Sequence, residues 1–149
     1  MPVRRAALAG SVAVLLAACS NQHPESAEAL WDELQAADYQ AWARAPGYEA
    51  RRPSATVHGD EVEIFINDVV VEALAGGPLG AWPDGSVVVK DGFEAGEPHI
   101  VVAMQKRGDA WFFAEYETSG EVVYSGDPHA CTRCHDDGDD GILAFALPQ

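Results

Sequence analysis

Apolar residues first recur at helical spacing: Leu30, Trp31, Leu34, Ala37, Ala41 and Trp42 lie on one stripe until Pro46-Gly47 breaks the pattern. With Ser26 as N-cap, that periodicity predicts one amphipathic helix at the head of the folded part. From Val62 the period drops to two. Val62, Ile64 and Ile66 alternate with Glu61, Glu63 and Phe65, which predicts a strand buried mainly on one face. Runs rich in Val, Trp, Phe and Tyr predict further strands over 86–90, 99–107, 110–118 and 121–125. Turns at Gly108-Asp109 and Ser119-Gly120 join the last three as a meander. Between the first two strands, Asp68 to Leu74 reads as a short helix, followed by turns at Gly76-Gly77-Pro78 and Trp82-Pro83-Asp84-Gly85. Asp127-Pro128-His129 starts another short helix, with Pro128 in the first turn, where a missing amide proton costs nothing. Asp136, Asp137, Asp139 and Asp140 then end that helix and stay solvated, and Ile142, Leu143, Phe145 and Leu147 return the chain to the core. The acidic run is not a calcium loop, because its twelfth position, which needs a bidentate glutamate, is Leu147.

The last helix carries the chemistry. Cys131-Thr132-Arg133-Cys134-His135 is a CxxCH pattern, in which two thiols a helical turn apart reach neighbouring edges of one porphyrin and the next imidazole binds the iron. A bare CxxC also serves as a redox pair, half a zinc site or a small disulfide, but none of these requires the histidine. Neither a βαβ pattern nor a second close cysteine pair accompanies it. The expected cofactor is one covalent haem c, with its iron.

Covalent haem attachment happens outside the cytosol, and the N-terminus agrees. Arg4 and Arg5 precede an apolar run over residues 6–18, too short for a stable span but suited to a signal segment. Leu16-Ala17-Ala18-Cys19 resembles the bacterial lipobox, so residues 1–18 are expected to be removed, Cys19 lipidated and residues 19–24 to form a tether. Plain secretion with an incidental cysteine is the alternative. Acyl chains at Cys19 would hold the protein at a bacterial membrane, facing the periplasm or the cell surface, with no other membrane contact. Only Cys131 and Cys134 then remain, so no long-range disulfide staples the domain and a core must stabilise it. Removing Arg4 and Arg5 with the signal leaves 7 basic against 24 acidic residues, a net charge of −17. Such acidity excludes nucleic acid as a partner and suits a solvated surface or a basic redox partner in the periplasm.

Read in order, the helix ending DYQAW, the strand EVEIFIND, the turn and strand WPDGSVVVKDGF, the pair AMQKRGDAWFFAEYE and CTRCH resemble the cytochrome P-460 family, which includes the β-sheet cytochromes c prime. The likeness covers most of residues 25–149, and PDGSVVVK with CxxCH is its most telling part. It implies an α+β fold, mostly antiparallel sheet with an N-terminal helix and a short haem-attachment helix near the C-terminus. It also implies a homodimer, His135 as proximal iron ligand and an open distal position. In the enzymatic members, which oxidise hydroxylamine, a lysine at the end of the PDG strand is bonded to a meso carbon of the porphyrin. Lys90 stands at that place. By alternation it shares a face with Val88 and so points inward, or else it snorkels into water or pairs with Asp91 or Glu94. Those enzymes also hold a distal glutamate, which spacing would put near Val102; neighbouring Glu97 and His99 do not follow the motif. An apolar distal side suits nitric oxide instead.

Two functions follow. One is a monohaem protein that binds or oxidises a small nitrogen compound or diatomic gas, with five-coordinate iron and Lys90 as key residue. The other is a non-catalytic electron carrier with six-coordinate iron, for which Met104, His58 and His99 are the candidate sixth ligands.

Overall fold

The computed structural model describes residues 23–149; the expected signal segment 1–18, the lipidation site Cys19 and the tether up to residue 22 lie outside the described residues. The chain forms an antiparallel sheet with helices on both faces. Helix α1 (Pro24–Ala36) precedes a 3-10 turn (Tyr39–Ala41) and the short strands β1 (Ala43–Arg44) and β2 (Arg52–Thr56). Then come β3 (Gly59–Ile66), α2 (Asp68–Gly76), β4 (Val87–Glu94), β5 (Glu97–Arg107), β6 (Ala110–Glu117), β7 (Val122–Gly126) and α3 (His129–His135). Strands β3 to β7 follow one another across the sheet, each antiparallel to the next. Both β1 and β2 lie on the outer edge of β3, at opposite ends.

Helix α1 starts earlier and ends sooner than its periodicity suggests. Pro24 takes the first helical position and His23 is the N-cap, so Ser26 is not the cap. At the other end Asp38 adopts a left-handed conformation (φ 49°), which breaks the helix before Tyr39 and Trp42. The chain can then turn its aromatic residues onto the sheet. Tyr39 meets Phe65 edge-on, with ring centroids 5.6 Å apart.

The central strands are buried on both sides. On the α1 face Phe65, Val89, Ala103, Ala114 and Tyr116 pack against Ala27, Leu30 and Leu34. On the other face Val62, Ile64, Val88, Met104 and Phe113 pack under α2, Trp82 and Ile142. This is why Phe65, read as the polar-side residue of its strand, is buried. Each fully buried Val, Leu, Ile, Phe or Met side chain here contributes roughly 1.5–3 kcal/mol. Tyr116 fixes α1 further by donating to the Ala27 carbonyl at 2.7 Å. On the second face, the Asn67 side chain caps α2 at Val70 N and also accepts from Val87 N at 3.0 Å, tying helix to strand.

Two elements run longer than their sequence signals. Strand β4 continues four residues beyond Lys90 and forms a hairpin with β5 through Ala95-Gly96, so Lys90 is mid-strand rather than at a strand end. The C-terminal segment does return to the core through Ile142 and Phe145, whose ring stands 5.4 Å from that of Trp82. Leu143 does not; it is exposed.

Candidate haem site

Pro128, extended in ψ, occupies the N-cap of α3 rather than its first turn, and its carbonyl accepts from Cys131 N and Thr132 N. The seven-residue helix sets Cys131, Cys134 and His135 at i, i+3 and i+4, hence on one side. All three line a cleft of about 440 Å³, within the roughly 300–1,000 Å³ of cofactor pockets. Both thiols are free. Burial, followed by the charges of Glu115 and Cys134, pushes the Cys131 thiol up to about 11. That is opposite to the depressed thiol of a redox-active CxxC. Nor does any group of three or more His, Cys, Asp or Glu gather to hold a metal among the described residues, as a zinc site would need.

His135 is fixed by a backbone carbonyl. Its Nδ1 lies 2.7 Å from the Gly141 carbonyl, which can only accept, so Nδ1 carries the proton and Nε2 keeps its lone pair. Its ring packs on Phe113 at 5.1 Å. Burial lowers its proton affinity, reinforced by Lys90 and opposed by the Gly141 bond, which favours the neutral imidazole that iron needs.

The floor of the cleft is one row across the sheet. Ile64, Lys90, Val102, Glu115 and Tyr124 are successive register partners on β3 to β7. Lys90, Glu115 and Tyr124 line the cleft. The structure thus turns Lys90 inward, on the face of Val88, and among the described residues no carboxylate pairs with it. Its two alternative partners are engaged elsewhere: Asp91 accepts from Tyr39 and Gln40 on the opposite face, and Glu94 faces His99. Burial lowers the Lys90 ammonium to about 8.

The second wall is the β2–β3 hairpin, which curls over the sheet. Two glycines permit this. A Cβ at Gly92 would sit 1.8 Å from the His58 carbonyl oxygen, and one at Gly59 (φ 121°) would sit 2.5 Å from the Phe93 carbonyl oxygen. The turn therefore lies directly on β4, and His58 Nδ1 comes within 3.1 Å of Lys90 Nζ. The ammonium donates, so His58 accepts as a neutral ring. Burial first, then the charges of Lys90 and His135, bring its proton affinity down to about 3.

Of the three candidate sixth ligands, only His58 lines the cleft. Met104 is core, between Val88 and Phe113 in the register, and His99 is exposed beside Glu94. Glu97 is exposed as well. Val102 is buried in the floor, and the cleft carboxylate is its neighbour on β6, Glu115. Burial, followed by Glu117, pushes Glu115 above the usual carboxylate range. The sequence signal for Glu115 was faint: one acidic residue two positions after Phe113, easily read as the start of an exposed strand end.

The mouth of the cleft is apolar. Val57 is 88% exposed and Leu143 is 54% exposed; they are two of the three large exposed hydrophobic side chains among the described residues, and both line it. A flat apolar macrocycle would cover them, and the three CxxCH side chains face the same space, so these residues fit a covalent haem. No family model matches the chain, and no curated protein does either.

Proposed function

We propose that this chain is a c-type monohaem protein of cytochrome P-460 type, exported and lipid-anchored, that binds or oxidises a small nitrogen compound such as hydroxylamine or nitric oxide. The observation that carries this reading is the convergence of Cys131, Cys134, His135 and Lys90 on one apolar-lipped cleft. Cys131 and Cys134 would hold the porphyrin by thioethers, His135 would ligate iron through Nε2, and Lys90 would face the macrocycle. When bound, the iron supplies a binding position and an electron acceptor for the nitrogen atom. Around it, the chain itself offers two groups whose proton affinity burial has shifted, Lys90 and Glu115. Lys90 donates a hydrogen bond to His58 Nδ1 and can release a proton to a molecule bound in the cleft, and Glu115, held above the usual carboxylate range by burial, accepts or donates a proton at a carboxyl oxygen. That carboxylate favours the oxidising form of the reading over simple gas binding.

The test is expression of the full chain with a haem-attachment system, followed by haem staining after denaturing electrophoresis and optical spectra of both oxidation states. Expected are stain that disappears in Cys131→Ala/Cys134→Ala and a spectrum altered by hydroxylamine or nitric oxide. A Lys90 bond adds a strongly red-shifted ferrous band and a Lys90 peptide joined to the CTRCH peptide. No stain in the parent chain overturns the reading.

One observation favours the second function, electron transfer with six-coordinate iron: His58 is in the cleft together with His135. A low-spin spectrum in both oxidation states, unaltered by either nitrogen compound but lost in His58→Ala, would select it.

A further inference from the structure

The acidic run after the cysteine pair is not all solvated. Lys106, 3% exposed on β5, places Nζ 2.8 Å from each carboxylate oxygen of Asp140. Removing two ions from water costs about as much as their attraction returns, so such a pair adds little net stability over apolar residues of the same size. What it fixes is the turn around it. Asp140 is left-handed (φ 45°) and Gly141 likewise (φ 82°), with a Cβ at Gly141 excluded by Trp111 at 2.8 Å. Asp140 Oδ2 also accepts from Trp82 N at 2.7 Å, its carbonyl accepts from Trp111 Nε1 at 2.6 Å, and the Asp139 carbonyl accepts from Trp82 Nε1 at 3.2 Å. Two tryptophans and a buried lysine thus converge on three residues. The next carbonyl along, Gly141, is the one that accepts from His135 Nδ1.

We propose that Lys106, acting through Asp140, is a positioning residue for His135: the ion pair holds the 139–141 turn so that the Gly141 carbonyl fixes the tautomer and tilt of the imidazole. This rests on the haem reading above. A firm Nδ1–H bond to a carbonyl makes Nε2 a stronger donor, which favours ferric over ferrous iron. Loosening the turn weakens that bond.

The experiment compares the matured full chain with Lys106→Met, Asp140→Asn and Lys106→Arg, reading the midpoint potential and the iron–histidine stretching frequency of the ferrous protein by resonance Raman. Expected are a higher potential and a lower stretching frequency in Lys106→Met and Asp140→Asn, with return toward the parent values in Lys106→Arg. Should Lys106→Met not fold, the near-isosteric Asp140→Asn decides alone. Variants that carry haem and lose only stability, with both readouts unchanged, overturn the inference and leave the haem reading standing. A parent chain without haem overturns both.

Discussion

Lys90 Nζ lies 3.1 Å from His58 Nδ1, in a cleft whose other wall carries Cys131, Cys134 and His135. The contact joins a mid-strand lysine to a hairpin turn, and it exists because β4 has glycine, not a side chain, where the turn rests.

That resting point gives the first prediction. Gly92→Ala puts a methyl group where the His58 carbonyl stands, so the turn must lift or β4 must shift. Overpacking of this kind costs about 1–3 kcal/mol. Urea denaturation should show the loss, and NMR should show the His58 and Lys90 resonances decoupled; unchanged stability would mean that the hairpin does not sit on the strand.

The pH dependence of stability follows from the same pair. His58 is lowered from 6.5 to about 3, so the folded state resists a proton that the unfolded chain takes. Its contribution therefore favours folding above about pH 6.5 and is lost as pH falls toward 3. Lys90, lowered to about 8 from 10.5, acts with the same sign between those values. Asp91 and Glu115, both raised by burial, act oppositely at acid pH, so the difference between variants is the quantity to read. In the haem-free protein, His58→Gln should flatten the acid limb and Lys90→Met the alkaline one. Parallel curves for parent and variant would remove the group concerned from the account.

Glu115→Gln separates oxidation from binding. A positioned acid or base contributes typically about 10²–10⁴-fold to a proton-coupled step. If the proposed function holds, hydroxylamine oxidation should fall by a factor in that range while nitric oxide binding stays within about twofold. Equal activity in parent and variant would leave Glu115 as a wall residue.

Tyr116→Phe tests the opposite face without touching the cleft. It leaves the buried Ala27 carbonyl without the tyrosine donor, a cost of about 1–2 kcal/mol. Haem attachment and spectra should be unchanged. A spectral change would show that α1 and the cleft are coupled through the sheet.

The strands from β3 to β7 were legible because valine and aromatic runs, broken by glycine turns, have few other ways to be buried. The helix that carries CxxCH was legible because Asp127-Pro128-His129 marks its start. Other features lacked a local signature. Lys90 was read as a strand end since Asp91 and Gly92 are poor strand formers, and pairing on both sides, with Val62 and Glu63 of β3 and with Ile100 and Val101 of β5, carries β4 past them. The role of His58 depends on Gly92, 34 positions away, and no local pattern links the two. Asp140 looked solvated among its acidic neighbours because its partner, Lys106, sits in a strand whose alternation does not say what lies above it. Helix α1 was drawn too long because Asp38, a residue compatible with helix, turns left-handed instead.

Val57 and Leu143 form a greasy lip open to water. A chain that finished folding with that lip bare would stick to its own copies or to other apolar surfaces. If the proposed haem fills the gap between the hairpin and α3, its delivery would double as quality control: filling would turn a sticky folding product into a well-behaved one, and copies that missed it would mark themselves for aggregation or proteolysis.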